Sequence, residues 1–288
     1  MAGIRKVSAS AGAEWLLGGF SLLRQSPLGL GLLGVIWGLL ALLAAASLQL
    51  GTGVFLVFEL AMVLAGPLLM GGLVYAVRSV DLGGKARPGH LLQAFREGRV
   101  LPLLATLVPN IAAVVLCIVL LYVMVGGDSV TQLAEMMERA STQGAADPAM
   151  FGDFPFDRFF LWVLLSIVIG VLAGFFTFVA VPEIMFTGSG AFAAMQRSFQ
   201  ACVRNLPAFV VMLVLLVIAV VAIYIAVLLV GAIVNLVAGA AAMQIVVQLL
   251  TTAVLMPVAT GTVYTAWKQM LATDTVAAAA EPVSGFEA

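Results

Sequence analysis

Charge is scarce in this 288-residue chain, where Asp, Glu, Lys and Arg make up only 9% of residues, against roughly a quarter in soluble domains. With 63% hydrophobic residues, a water-soluble globule is excluded. Histidine occurs once, as His90. That removes a His-rich metal site, an HExxH motif and a Ser-His-Asp triad deep in an apolar span. No aspartate pair, nucleophile elbow or phosphate-cradling loop compensates, so the sequence reads as a non-enzyme. Cysteine occurs twice: Cys117 in an apolar run and Cys202 in an amphipathic one, with no CxxC spacing. Two unpaired thiols, no metal and no cofactor are expected. The formal net charge of −1 gives no reason to expect nucleic-acid binding. Arg5 and Lys6 are followed by Ser8, Ser10, Gly12 and Glu14 rather than by the continuous apolar core of a signal peptide, so the first apolar span is expected to stay in the mature protein.

What the chain does have is uninterrupted apolar runs. Six stand out: Leu28–Leu50, Val54–Val77, Pro102–Val125, Phe159–Phe186, Pro207–Val234 and Ala240–Trp267. At about 1.5 Å per residue each crosses a hydrocarbon core of ~30 Å as a helix. Barrel strands would alternate over about ten residues instead. The fold class expected is therefore all-α, a polytopic membrane protein with six transmembrane helices. The first and last pairs of spans are joined so briefly, by Gly51-Thr52-Gly53 and by the run Val237 to Gly239, that both must be tight hairpins.

Eleven of the 13 Lys and Arg residues fall on one side of these spans, leaving Arg139 and Arg158 on the other. The positive-inside rule makes the first side cytoplasmic, with both termini there, in a bacterial inner membrane. The opposite side carries an acidic segment, 127–157, with Asp128, Glu135, Glu138, Asp147, Asp153 and Asp157. It is expected to be periplasmic, with helix from Ser129 to Ala140.

Arg-x-x-Pro occurs three times, at Arg24–Pro27, Arg99–Pro102 and Arg204–Pro207, each at the cytoplasmic entry of an odd-numbered span. Proline suits a first helical turn, and arginine there snorkels toward lipid phosphates. An amphipathic segment precedes each copy. In the third, Phe192, Met195, Phe199, Cys202 and Val203 share one face, opposite Gln196, Arg197, Gln200 and Arg204. Trp15, Leu16, Phe20 and Leu23 repeat the pattern before the first span; Leu91, Leu92 and Phe95 do so more weakly before the third. Such helices are expected to lie in the membrane interface. The reading is three hairpin repeats, approximately 8–78, 88–187 and 190–268, within one membrane domain (1–270), followed by a disordered cytoplasmic tail (271–288). Even-numbered spans also end alike, with Pro67, Gly71 and Tyr75 matched by Pro257, Gly261 and Tyr264.

Val181-Pro182-Glu183 followed by Ala193, Ala194, Arg197, Ser198, Arg204 and Asn205 resembles the membrane domain associated with glycerophosphoryl diester phosphodiesterases and the YciC-like inner-membrane proteins. The whole chain is also similar to an uncharacterised proteobacterial six-helix transmembrane family, whose openings read like Glu14-Trp15-Leu16 and Phe20 to Pro27. The resemblance implies a six-helix membrane fold and little about activity. No soluble phosphodiesterase domain is expected beside these spans, so that activity is not carried over.

Gly29, Gly31 and Gly34 match GxGxxG, but inside an apolar span, where close helix packing explains them better than a dinucleotide. Gly34 with Gly38, and Gly170 with Gly174, are GxxxG pairs expected to let helices approach, within the chain or across a dimer. Glu59 and Glu183 are the acids within spans, and ionisable groups at depth are functional candidates. Their depths differ by roughly 25 Å, so they do not form a carboxylate pair. Glu59 is expected at a depth comparable to Asn235, Gln244 and Gln248, as an outward-opening ligand pocket or as hydrogen-bonded glue between helices. Glu183 follows the helix breaker Pro182 and is expected to pair with Arg197 or Arg204. Pro109, Asn110 and Pro182 raise a broken-helix transporter site as a weaker option. Arg24, Arg99 and Arg204, with the basic loop Arg78–Arg99, are placed to meet lipid headgroups, although topology alone also explains them.

The leading expectation is a non-enzymatic scaffold whose partners are membrane lipids, a protein or a second copy. The runner-up is a transporter or channel-like module built around Glu59. An enzyme acting on lipids would need polar groups clustered at headgroup level, which the sequence does not display.

Overall fold

The structure, a computed structural model, describes residues 3–143 and 154–272. All regular structure among the described residues is helical. In chain order the helices are α1 (Ala11–Gln25), α2 (Pro27–Ser47), α3 (Thr52–Asp81), α4 (Gln93–Arg96), α5 (Val100–Ala105), α6 (Leu107–Val125), α7 (Gly127–Gln143), α8 (Phe156–Thr177), α9 (Ala180–Thr187), α10 (Ala191–Arg204) and α11 (Leu206–Met270). Five runs are long and apolar enough to cross a membrane: Pro27–Leu50, Thr52–Asp81, Val100–Val125, Phe156–Thr187 and Leu206–Met270. The chain is thus built as a multi-pass membrane protein.

Five runs replace the six read from sequence because the last two merge into α11, which has 65 residues. Its continuity is broken at Gly239, whose φ of 82° and ψ of 174° lie outside the helical region, a conformation glycine adopts without steric cost. A Cβ at Gly231 would lie 2.5 Å from Val247 Cγ2 and 3.4 Å from Met243 Cγ. Gly231 and Val247 are equally distant from Gly239 in sequence, so the second arm of α11 returns along the first.

The described residues form two compact units, one from 1–106 with 176–288 and one from 107–175. The core of the first gathers the last turns of α3, α9 and α11. Trp15, Val77, Tyr264, Trp267 and Met270 share one buried cluster, and Val74, Leu103, Ala180 and Ile184 share another. The Gly51 and Gly239 ends of the same long helices are bare: Leu56 is 60% exposed, Val57 68%, Leu236 86% and Val237 85%. Apolar side chains exposed over such lengths are stable against hydrocarbon and not against water.

The amphipathic helices pack part of their apolar faces against protein. In α1, Trp15 is fully buried, and Ala11, Leu16 and Leu22 join it in the interior. Small residues permit this. A Cβ at Gly12 would sit 2.0 Å from the Ala208 carbonyl oxygen, and one at Gly19 2.4 Å from that of Val258, so α1 nests between the two arms of α11. In α10 the buried face is Ala194, Met195, Ser198, Ala201 and Cys202, whereas Phe192 is 79% and Val203 51% exposed. Phe199 stacks on Phe176 with centroids 4.5 Å apart. Before α5 there is only a 3-10 turn, Pro88–Leu92, and the single turn α4. Leu91 and Ala94 are buried there, while Leu92 and Phe95 are exposed.

The break between α8 and α9 follows from Pro182, which has no N–H to continue the helix. The Val179 N–H at the break donates to Ser198 Oγ at 3.1 Å, docking α10 onto the bend. In the second unit, Val125, Met136 and Phe154 form a small cluster with Phe159 and Trp162 packed on it. Trp162 Nε1 donates to the Cys117 carbonyl at 2.8 Å. Helix α7 begins two residues before the expected start at Ser129; within the acidic segment, 144–153, including Asp147 and Asp153, lie outside the described residues. Of the expected tail, Leu271 and Ala272 belong to the core, and 273–288 lie outside the described residues.

Candidate functional site

The polar residues of the first unit converge on the ends of α3, α9 and α11. Glu183 stands one residue after Pro182 and is fully buried. Its Oε1 forms an ion pair with Arg197 Nη1 from α10 and also accepts from Thr187 Oγ1 at 3.3 Å and Ser189 Oγ at 3.5 Å. Its Oε2 accepts from Trp267 Nε1 at 2.7 Å. A buried carboxylate is tolerable only when its lone pairs are used in this way.

A second knot lies on the neighbouring helix faces. Asp81 Oδ2, at the end of α3, accepts from Lys268 Nζ at 2.6 Å and from Tyr264 OH at 2.8 Å. Between the two knots are rings: Phe186 meets Trp267 with centroids 5.2 Å apart and Tyr264 at 6.0 Å. The Arg78 guanidinium caps Phe186 at 4.5 Å from the ring centroid, a cation–π contact. Arg78 also lines a cavity of about 400 Å³ with Tyr75, Ser79, Leu82 and Gly84.

His90 packs edge-on against Tyr75 at 5.3 Å. Its Nδ1 accepts a long hydrogen bond from the Arg87 backbone N–H at 3.4 Å. Partial burial, then the charges of Arg87 and Arg96, hold its pKa below the ordinary 6.5, so the ring is neutral at pH 7. Cys202 is buried, and burial pushes its thiol up to about 12 against a smaller opposing effect of the Ser198 hydrogen bond. It is a packing residue, not a nucleophile.

Arg5 and Val7 are strapped to this region. The Arg5 backbone N–H donates to the Met270 carbonyl at 3.0 Å and its guanidinium to that of Ala272 at 2.8 Å. Asn205, 1% exposed, accepts from the Val7 N–H at 2.8 Å and donates to the Arg5 carbonyl at 3.0 Å. Asp81, Tyr264, Trp267 and Lys268 were not singled out by sequence reasoning as site residues. The pairing of Asp81 with Lys268, 187 residues apart, left no signal in the sequence pattern.

The three Arg-x-x-Pro arginines differ in setting. Arg24 and Arg204 are exposed, whereas Arg99 is half-buried with its guanidinium against the turn at Gly188, where a Cβ would lie 2.9 Å from Nη2. Glu59 and Gln248 are half-buried and Asn235 and Gln244 exposed, and no hydrogen bond joins these four side chains to one another. Gly34 faces the Thr252 carbonyl, with a Cβ there 2.3 Å away, and Gly38 faces the Thr252 hydroxyl, so this GxxxG pair joins α2 to α11. A Cβ at Gly170 or Gly174 would meet nothing within 4 Å among the described residues. Among the described residues no group of three His, Cys, Asp or Glu is placed to hold a metal.

No family model matches the sequence, and neither a curated protein nor a solved structure matches it.

Proposed function

We infer that the protein is a six-span scaffold of a bacterial inner membrane, with both termini cytoplasmic, that holds lipids or a partner protein and turns over no substrate. The observation that carries this reading is the distribution of burial. At one end of the first unit the carboxylates of Glu183 and Asp81 are taken up by neighbouring side chains. The apolar lengths leading away from them stay bare: only 6% of the best membrane window in Thr52–Asp81, and of that in Leu206–Met270, is buried. Helices so little occupied with one another present their surface to lipid or to another membrane helix.

The sixth span comes from counting the two arms of α11 on either side of Gly239. The threefold repeat is supported by the Arg-x-x-Pro motifs, each of which lies across a helix junction. Pro27 is the first residue of α2, Pro102 the third of α5 and Pro207 the second of α11. We keep with this reading the resemblance to the membrane domain associated with glycerophosphoryl diester phosphodiesterases, as a relation of fold.

The test is flux. Proteoliposomes carrying the full chain, loaded with a pH-sensitive dye and challenged with a proton gradient, are expected to leak no faster than protein-free vesicles, and Glu59→Gln to change nothing. Proton flux that Glu59→Gln abolishes would replace the scaffold by a transporter using Glu59.

A further inference from the structure

The turn Thr187-Gly188-Ser189, between α9 and α10, is bordered by two guanidinium groups with unused donors. Arg99 reaches it from the start of α5. Its guanidinium lies over Gly188, with a Cβ there 2.9 Å from Nη2 and 3.5 Å from Cζ, and the residue's φ of 72° is itself one that glycine favours. No carboxylate pairs with Arg99, and its Nε is buried without an acceptor among the described residues. Arg197 reaches the turn from α10 and spends Nη1 on Glu183. Its Nη2 is likewise buried without an acceptor.

Burying a charged N–H without an acceptor is costly, and an anion with several oxygens supplies acceptors to two such arginines beside one turn. The Thr187 and Ser189 hydroxyls, 2.7 Å apart, spend their protons on Glu183 and on each other, so the donors left over at the turn are those of the two arginines. Glu183 offsets one of the two arginine charges, leaving a net charge of +1. That matches the single negative charge of a phosphodiester, whose tetrahedral oxygens suit the arginine fork. Thr187 and Gly188 are exposed and Ser189 is partly so, so the turn is open to its surroundings. It lies at the end of the Phe156–Thr187 run, where headgroups of the cytoplasmic leaflet are found.

We propose that Arg99 and Arg197, across the Thr187–Ser189 turn, bind one phosphodiester anion, supplied by the headgroup of an anionic phospholipid. This rests on the scaffold reading and names a ligand for it.

The experiment is native mass spectrometry of the full chain in detergent, titrated with dioleoyl phosphatidylglycerol, beside Arg99→Gln, Arg99→Lys, Arg24→Gln and Arg204→Gln. Removing Arg99 strands no carboxylate, so the fold is expected to persist, as thermal unfolding will check. The first lipid bound should weaken about tenfold in Arg99→Gln, the loss expected for one charge-assisted hydrogen-bonded contact. Arg99→Lys, which keeps the charge and loses the buried Nε, should lose nearly as much. Exposed Arg24 and Arg204 should change the affinity less than about twofold. Equal affinity in wild type and Arg99→Gln, or equal losses in all three Gln variants, would overturn the site. If Arg99→Gln does not fold, Gly188→Ala, whose Cβ would stand 2.9 Å from Arg99 Nη2, replaces it, with the same loss expected and unchanged affinity overturning the site.

Competition separates the sources. Glycerophosphoglycerol, which lacks acyl chains, and inorganic phosphate should displace the lipid only at far higher concentration. Displacement by either at concentrations similar to the lipid would keep the anion site and overturn its assignment to lipid. Glu59-dependent proton flux refutes the scaffold whatever Arg99 does; an Arg99→Gln protein that still binds the lipid with wild-type affinity refutes this site and leaves the scaffold standing.

Discussion

At the scale of single residues, the sharpest test is Glu183. Both of its oxygens are engaged and none of it reaches the surface, so Glu183→Ala leaves Arg197 uncompensated and Trp267 without its acceptor. Loss of one member of a buried pair costs roughly 3–5 kcal/mol, to be read as a lowered unfolding midpoint in detergent. The double variant Glu183→Gln with Arg197→Gln should recover a large part of that loss, because neither charge is then stranded. Glu183 itself was legible as a buried acid beside a proline, and the expectation named two candidate arginines. The choice of Arg197 needed the position of α10, which periodicity does not supply. His90 makes a different prediction. Its pKa is lowered, so the unfolded chain takes up the proton first as pH falls, and stability is full above about 6.5 and declines toward the lowered value. In an NMR titration its midpoint should lie below 6.5, and Arg87→Gln with Arg96→Gln should raise it only in part, since burial acts first. Cys202, held up to about 12, should resist iodoacetamide at pH 8 until the protein unfolds.

At the scale of elements, α1 shows how far an amphipathic pattern reaches. The spacing of Trp15, Leu16, Phe20 and Leu23 establishes that one face is covered, but lipid and protein satisfy the same pattern. The discriminating signal lay in the residues without side chains. Gly12 and Gly19 lie along α1 where a lipid-facing helix has no need of glycine, and Gly261 approaches Gly19 to within 2.8 Å of its Cα, measured from where its own Cβ would stand. A bulkier residue at Gly19 meets the backbone of α11, which cannot give way. Gly19→Leu is therefore expected to cost about 2 kcal/mol or more by forced displacement, seen as faster protease cleavage near α1, whereas Gly3→Leu, with nothing within 4 Å, should be silent. Span lengths were legible because hydrocarbon thickness imposes them. The junction of the last two spans was legible only as a short loop, since one glycine at φ 82° replaces a turn with scarcely any loop at all.

At the scale of the whole chain, the pairs that tie the inner core are remote in sequence. Asp81 meets Lys268, Trp15 Nε1 donates to Gln269 Oε1 at 2.7 Å, and Arg5 grips Ala272. No spacing rule reaches so far, so the core's location at one end of the long helices stayed hidden while its membrane character was plain from composition. Four of the basic residues counted for orientation, Arg5, Arg78, Arg197 and Lys268, also hold this core. Single cysteines introduced into a Cys117→Ala, Cys202→Ala background should report it through a membrane-impermeant maleimide in intact cells. Cysteines replacing Thr52, Ser129 or Ala238 should react from outside, and those replacing Gly84 or Ser189 only after permeabilisation. Labelling of Gly84→Cys in intact cells would invert the orientation and remove the Arg99 turn from the cytoplasmic leaflet. Labelling of Ala238→Cys only after permeabilisation would mean that the arms of α11 do not cross as two spans, because an odd number of crossings from Leu206 is what brings Gly239 to the outer face.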